Sequence, residues 1–440
     1  MGTGKATVTL SMDWKGTPVA STTHTLFVSD PTGGPALAVS SRLIRSLPHA
    51  DRAAVVPDVR FTPKGTLFTA GFPSGVVQLW DPATGKELCR IDSPRVSRSS
   101  VDYALPSADF GTLFVPIDGR KVIRIEDDPK RTTRIEYDGK ILVWDLASGE
   151  PKATLKAQPG HGVLSVDVSH DGSRLISTER PGGPAGSSLL PDVVRMTDAA
   201  TGRSWKLAEG YGTAAFSPDG KRAYVSVTNA RKKEGALLVF DREGKEQAPL
   251  VRKGKEMLHP PTLSPDGRRL AVNVGAWRIN QPGTLKVFDL ATGESVAEFA
   301  SGGDFPFVRP TFSPDGSLVA AGDHSDQIRV FDVAKRAVVL QHKPKGWRLG
   351  QSVAFSKDGR RLAVPMQAKA DGAEANDPDP IDLPLPRIYL FDLTKPKSAP
   401  EVIVCPHGWA GGVAFSADGK TLAFGNTGAV HLFDVSGPLK

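Results

Sequence analysis

Residues 312–332 read FSPDGSLVAAGDHSDQIRVFD, a turn signal followed by an apolar strand that ends in Asp. Ser-Pro-Asp-Gly is turn chemistry. Pro presets φ near −65°, Asp hydrogen-bonds its own backbone, and Gly takes the positive φ that side chains resist. Such a turn joins two antiparallel strands. The closing run, Ile328 and Val330 against Arg329 and Phe331, has period-two alternation with β-branched and aromatic residues that suit a packed pleat.

Both elements recur along the chain. The opening reads FTPKG at 61–65, SADFG ending at Gly111, SHDG at 169–172, SPDG at 217–220, 264–267 and 313–316, SKDG at 356–359 and SADG at 416–419. The closing strand ends at Asp81, Asp145, Asp198, Asp241, Asp289, Asp332, Asp392 and Asp434, so eight openings pair with eight closings. A second turn then follows, ATGKE at 83–87, ASGE at 147–150, ATGR at 200–203 or ATGE at 291–294, and after it a fourth strand such as 295–299. One repeat is therefore four short strands, which is one blade of an all-β propeller. Composition agrees: 39% of residues are hydrophobic, and the 45 Gly and 36 Pro fall mainly in the repeated turns.

Over residues 41–440 the chain resembles the WD40 family and its bacterial SPDG and YVTN-like relatives; Ala223 to Asn229, AYVSVTN, is similar to the latter. The resemblance is specific for fold and poor for function. Trp precedes the closing Asp only at Trp80 and Trp144, and the family's Gly-His pair occurs only at Gly160-His161. The family's His-Ser-Trp-Asp hydrogen-bond network is thus mostly missing. Blade cohesion is expected to rest on apolar packing, with roughly 1.5–3 kcal/mol from each buried Phe or Trp.

The last blade lacks a fourth strand, because the chain ends six residues after Asp434, while SRLIRSL at 41–47 stands as an orphan strand before the first blade. Pairing of these two ends would close the ring. Eight blades are the first choice, and seven with a displaced repeat the alternative. Residues 1–40 contain strand-like Thr7 to Ser11 and Thr25 to Ser29, readable either as a degraded repeat or as the remnant of a β-sandwich module.

Chemistry is hard to find in the sequence. The nine histidines are scattered with no HExxH, two cysteines (Cys89 and Cys405) exclude a Cys-based zinc cage, and Gly2 to Ala6 lacks the residues of a phosphate loop. The acidic stretch 371–382, DGAEANDPDPID, does not follow an EF-hand register and reads as a solvated loop. No cofactor and no metal are expected. The net charge of +7 comes from 55 bases interspersed with 48 acids, so the basic clusters at Lys130, Arg131 and Arg134, at 231–233, at 252–255 and at 343–348 read as solvated loops, and nucleic acid is not the expected partner. No apolar run approaches the ~18 residues of a membrane span, and no leader is visible; the expectation is a cytoplasmic monomer.

Loop length is more informative. Turns of the SPDG and ATGE kind are short in every repeat, whereas the connections between second and third strands vary: 118–140, 180–192, 275–283 and 367–387. In the family arrangement these long loops share one face with the inter-blade connections, which carry Tyr211, Phe305, Phe307, Trp347 and Trp409, with Arg309, Arg348 and His161. Aromatics and Arg dominate binding hot spots. The expected function is a non-catalytic scaffold that docks a protein or peptide on this face through Tyr211, Phe307, Arg309, Trp347, Arg348, Trp409 and His161. The alternative is a sugar-binding or lactonase-like site in the central channel.

Overall fold

A computed structural model describes residues 4–14, 17–28, 40, 42–94, 104–124, 133–184, 191–229, 232–275, 283–301, 307–323, 326–350, 352–369 and 384–438. The chain forms eight four-stranded antiparallel blades, over residues 55–92, 105–156, 161–209, 211–254, 257–300, 307–342 and 347–404, with the eighth over 413–434. They are numbered 1 to 8 in that order. In blade 8 the outer strand is Leu43–Pro48, paired antiparallel with Ala429–Asp434, so that Ser46 faces His431 and Leu47 faces Val430. The orphan strand closes the ring as expected. Arg42 reinforces the joint by a two-pronged bond to Glu401 of blade 7, at 2.7 and 3.2 Å.

Each interface between successive blades holds one apolar cluster, and there are eight, including one between blades 8 and 1 that joins Val430 and Leu432 to Val56, Val59, Leu67 and Trp80. This packing explains a feature that alternation misses. Ile328, Arg329, Val330 and Phe331 are all buried. Blades stack face to face, so a third strand has neighbours on both sides and its polar positions must be satisfied inside.

The repeated turns behave as their chemistry requires. In blade 4 the Ser217 hydroxyl donates to Asp219 at 2.6 Å and accepts the Arg222 N–H at 2.9 Å, while Asp219 accepts the Lys221 N–H at 3.0 Å. Gly220 sits at φ +67°. The closing Asp is also explained: Asp198 accepts the N–H groups of Ala200 and Thr201 at 3.1 and 2.9 Å, and Asp145 does the same for Ala147 and Ser148 at 2.9 Å each. The Asp therefore caps the second turn, and the aromatic before it can vary. Of the two Trp in that place, Trp80 donates to Thr69 at 3.3 Å, while the Trp144 indole N–H has no partner among the described residues.

Inner strands are interrupted in blades 5 and 7. Pro260 and Pro261 separate Met257–Leu258 from Thr262–Leu263, as expected where no N–H is available for the ladder. Gly350 and its neighbours separate Trp347–Leu349 from Ala354–Phe355. Residues Gly4–Trp14 and Thr17–Val28 form a hairpin that is a two-stranded sheet of its own. A second small sheet joins Lys121–Arg124, Thr133–Glu136 and Gly183–Pro184, tying the long loops of blades 2 and 3 together. Among the described residues no helix is long and apolar enough to cross a membrane.

Candidate functional site

An antiparallel meander places its first and third turns at one end of the blade and its middle loop, with the connection to the next blade, at the other. The eight blades thus give a short-turn face and a loop-rich face. On the loop-rich face the connection from blade 7 to blade 8, CPHGWAGG at 405–412, is held by three side chains. Asn426 donates to the His407 carbonyl at 2.9 Å and the Pro406 carbonyl at 3.2 Å, Thr427 accepts the Trp409 N–H at 3.0 Å, and buried Gln367 accepts the Ala410 N–H at 2.9 Å. Gly408 stands at φ +138°, and a Cβ there would lie 3.0 Å from the Asn426 amide nitrogen. Only glycine fits this corner, which fixes the direction in which Trp409 leaves the loop.

Blade 7 supplies the facing group. Arg348 lies opposite Gln367 in the ladder, and its guanidinium carbon is 5.4 Å from the centre of the Trp409 ring. A second pair lies in the same blade: the Arg387 guanidinium is 4.3 Å from the centre of Trp347. The two pairs differ in depth. Arg348 and Trp409 are half-buried, whereas Trp347 is only 1% exposed.

Trp347 corrects the sequence expectation of an exposed binding ring. Its cross-strand neighbour is Ala368, whose small side chain leaves space, and the indole packs in the cluster between blades 6 and 7 with Arg387 over it. It is core, and it supports the platform from below.

The other expected residues do not join this site. Tyr211, half-buried, opens the inner strand of blade 4 opposite Thr228. It lies near Arg180, whose pKa is raised above its ordinary value first by the hydrogen bond to Asp192 and then by weaker attraction that includes Tyr137 and Tyr211. His161 opens the inner strand of blade 3, its Nδ1 3.1 Å from the Pro159 carbonyl. Phe307 and Arg309 belong to the inner strand of blade 6, but their side chains lie outside the described residues, as do those of Phe305, Lys130, Arg131, Arg231, Arg252, Lys253 and 371–382. Arg387, Gln367, Asn426 and Thr427 were missed by sequence reading, since their importance depends on which strand each one faces.

For catalysis or metal binding the described residues offer little. No group of three or more His, Cys, Asp or Glu among them could hold a metal ion. Cys89 and Cys405 are both free, and burial raises both thiols above their ordinary pKa, Cys405 strongly. Burial also pushes His431, at the ring closure, down to about 4.

The comparisons with known proteins agree with the fold. Residues 308–332 match the family described as WD domain, G-beta repeat. The chain is 30% identical over 218 residues to the WD repeat-containing protein SL1-17 of Schistosoma mansoni, covering 46% of this chain and 62% of that protein. It is 27% identical over 143 residues to Autophagy-related protein 18 of Meyerozyma guilliermondii, covering 32% of this chain and 24% of that one. The chain thus spans less than two thirds of the length of these curated relatives. Among solved structures, the C-terminal WD40 domain of Sif2 aligns with TM-score 0.58 at 14% identity, over 90% of this chain and 98% of that one. The β-propeller domain of Myceliophthora thermophila Cps50 (Swd1) gives 0.52 at 14% identity, over 90% and 99%. At that identity the two structures speak to the fold alone.

Proposed function

We propose that this WD40-type propeller is a non-catalytic scaffold that docks a protein or peptide on its loop-rich face, with Arg348 and Trp409 at the centre of the contact. The observation that carries the reading is the construction at the junction of blades 7 and 8. A Trp and an Arg are stacked there, half-exposed, on a loop pinned by Asn426, Thr427 and Gln367. Hot spots are built this way: a rigid aromatic and an Arg that lose little freedom when a partner arrives. Variable loops on a rigid ring point in the same direction.

Tyr211, His161, Phe307 and Arg309 are proposed as a wider contact rim, and Trp347 only as its support. A cytoplasmic monomer remains the proposed state. A likeness to YVTN-like repeats is confined to Ala223 to Asn229, in the second strand of blade 4, and the WD40-type reading does not depend on it.

The test compares co-purification from source cells by the full chain, by Arg348→Ala with Trp409→Ala, and by Lys221→Glu with Lys420→Glu on the short-turn face. Circular dichroism checks each fold. Partners lost only from the first pair support the reading. Partners lost only from the second pair, or from neither, contradict it.

A further inference from the structure

We propose that the segment docked on the loop-rich face is an acidic peptide, one of whose side-chain carboxylates is received edge-on by Arg348 against the Trp409 ring. This rests on the docking role proposed above. A guanidinium has N–H donors along its edge, no acceptor, and a charge that is not lost in a protein. The indole below it offsets part of the charge through the ring face but does not satisfy the in-plane donors. The Arg348 guanidinium has no hydrogen-bond partner among the described residues; its Nε–H is shielded from solvent, so an arriving carboxylate would be taken by the two terminal amino groups.

Elsewhere the chain meets the same demand either with backbone carbonyls, as where Arg45 donates to Thr84 and Ala83 at 2.8 and 3.0 Å, or with carboxylates. Arg42 is held by both oxygens of Glu401, Arg60 by both of Asp58 at 2.8 and 2.9 Å, and Arg180 by both of Asp192 at 2.9 Å each. A planar carboxylate matches the planar fork, which makes the pair bidentate and stronger than a neutral bond. Arg348 has no carboxylate of this kind among the described residues. The acid that the same strand brings near, Asp326, accepts the Leu349 N–H at 3.2 Å and holds Lys369 at 2.7 Å, so its oxygens are engaged.

Charge around the site favours the same partner. Lys343 and Lys345, in the connection that leads to Arg348, are exposed and have no ion-pair partner among the described residues. The three cations lie close together along the chain, at 343, 345 and 348. That suits a short acidic segment better than a nucleic-acid strand, which needs cations along a run of phosphates.

The test uses the full chain and fluorescein-labelled peptide pools of random order, one rich in Asp and Glu, one in Ser and Gln, one in Lys, read by fluorescence anisotropy. The acidic pool is expected to bind, and Arg348→Gln to weaken it by roughly 10- to 100-fold, the loss of one charge-assisted bond. Arg348→Lys should recover part of that, as a point charge without the fork, and Lys221→Gln on the other face should change nothing. Binding of the acidic pool that is indifferent to Arg348→Gln, or equal competition by a single-stranded oligonucleotide, would overturn the proposal. Binding of the Ser/Gln pool lost in Trp409→Ala would overturn the acidic class while leaving the docking face standing. No binding by any pool would overturn the acidic peptide, with the docking role still decided by co-purification.

Discussion

On the short-turn face, Ser107, Ser169, Ser217, Ser264, Ser313, Ser356 and Ser416 each donate to an Asp two residues on, at 2.5 to 2.7 Å. On the loop-rich face the described residues show different devices in different sectors. Blade 3 pairs Arg180 with Asp192, blade 7 stacks Arg387 on Trp347, and the junction of blades 7 and 8 leaves the Arg348 Nε–H unpaired. One face repeats a solution in which a Ser hydroxyl and an Asp carboxylate take up the backbone N–H groups of the turn. The other holds different residues in each sector, some incompletely satisfied. A fold needs the first, and recognition of a partner makes use of the second.

Both faces depend on one closed ring, and the largest expected effect comes from opening it. Deleting residues 1–47 removes the buried Leu47, the Arg42–Glu401 bond and the strand over His431, and should cost more than about 4 kcal/mol. Deleting 1–38 leaves that strand in place and should cost far less. Denaturant unfolding of the two truncations decides, and equal stability would mean that the closing strand does not support the ring.

Acid should open the same joint. His431 is buried opposite Ser46, whose hydroxyl lies 2.8 Å from Nδ1, and its pKa is pushed from 6.5 down to about 4 by burial. The unfolded chain takes up a proton near the ordinary value while the folded chain does not. Stability is therefore full above pH 6.5 and falls as pH drops from about 6.5 to about 4, by about 3 kcal/mol. The slope measured for the native chain over that window should be reduced in His431→Gln, and an unchanged slope would assign the acid sensitivity elsewhere. His342 is shifted the same way by burial and contributes to what remains.

Within the short-turn face the turns should not be equal. A Cβ on Gly267 would meet Pro218 at 2.7 Å and one on Gly316 would meet Ser264 at 3.3 Å, whereas Gly220 has nothing within 4 Å. All three have φ between +67° and +69°. Substitution to Ala should cost about 2–3 kcal/mol at Gly267, about 1–2 at Gly316 and about 1 at Gly220, where only the backbone conformation is penalised. Thermal unfolding gives the order, and equal losses would mean that contact between neighbouring turns contributes nothing. The smallest expected effect is on the loop-rich face: Trp409→Ala should change stability by about 1 kcal/mol or less while removing partner binding.

What was legible in the sequence follows the same division. Ser-Pro-Asp-Gly and the closing Asp are local devices, set by residues adjacent in the chain, so the turn positions and the closing strand were legible, while the choice of eight blades over seven depended on the curvature of the ring and was settled by the structure. Arg348 and Trp409 were legible as residue types, but not as a pair, because they meet only where the connection from blade 7 to blade 8 passes beside the inner strand of blade 7. Trp347 looked the same as Trp409 in sequence, each following a Gly. Its burial was hidden because it depends on Ala368 across the ladder and Arg387 above the ring. Alternation in the third strands was a weak guide for a related reason: a blade packed on both sides buries both faces of its strands.

The docking claim is tested most directly by site-specific photo-crosslinking in cells, with benzoylphenylalanine placed singly at Lys345 or His407 on the loop-rich face and at Lys221 or Lys420 on the short-turn face, all exposed positions. The account predicts that adducts to another protein form from Lys345 and His407 and not from Lys221 or Lys420. Adducts from the short-turn positions alone, or equally from both faces, would contradict it.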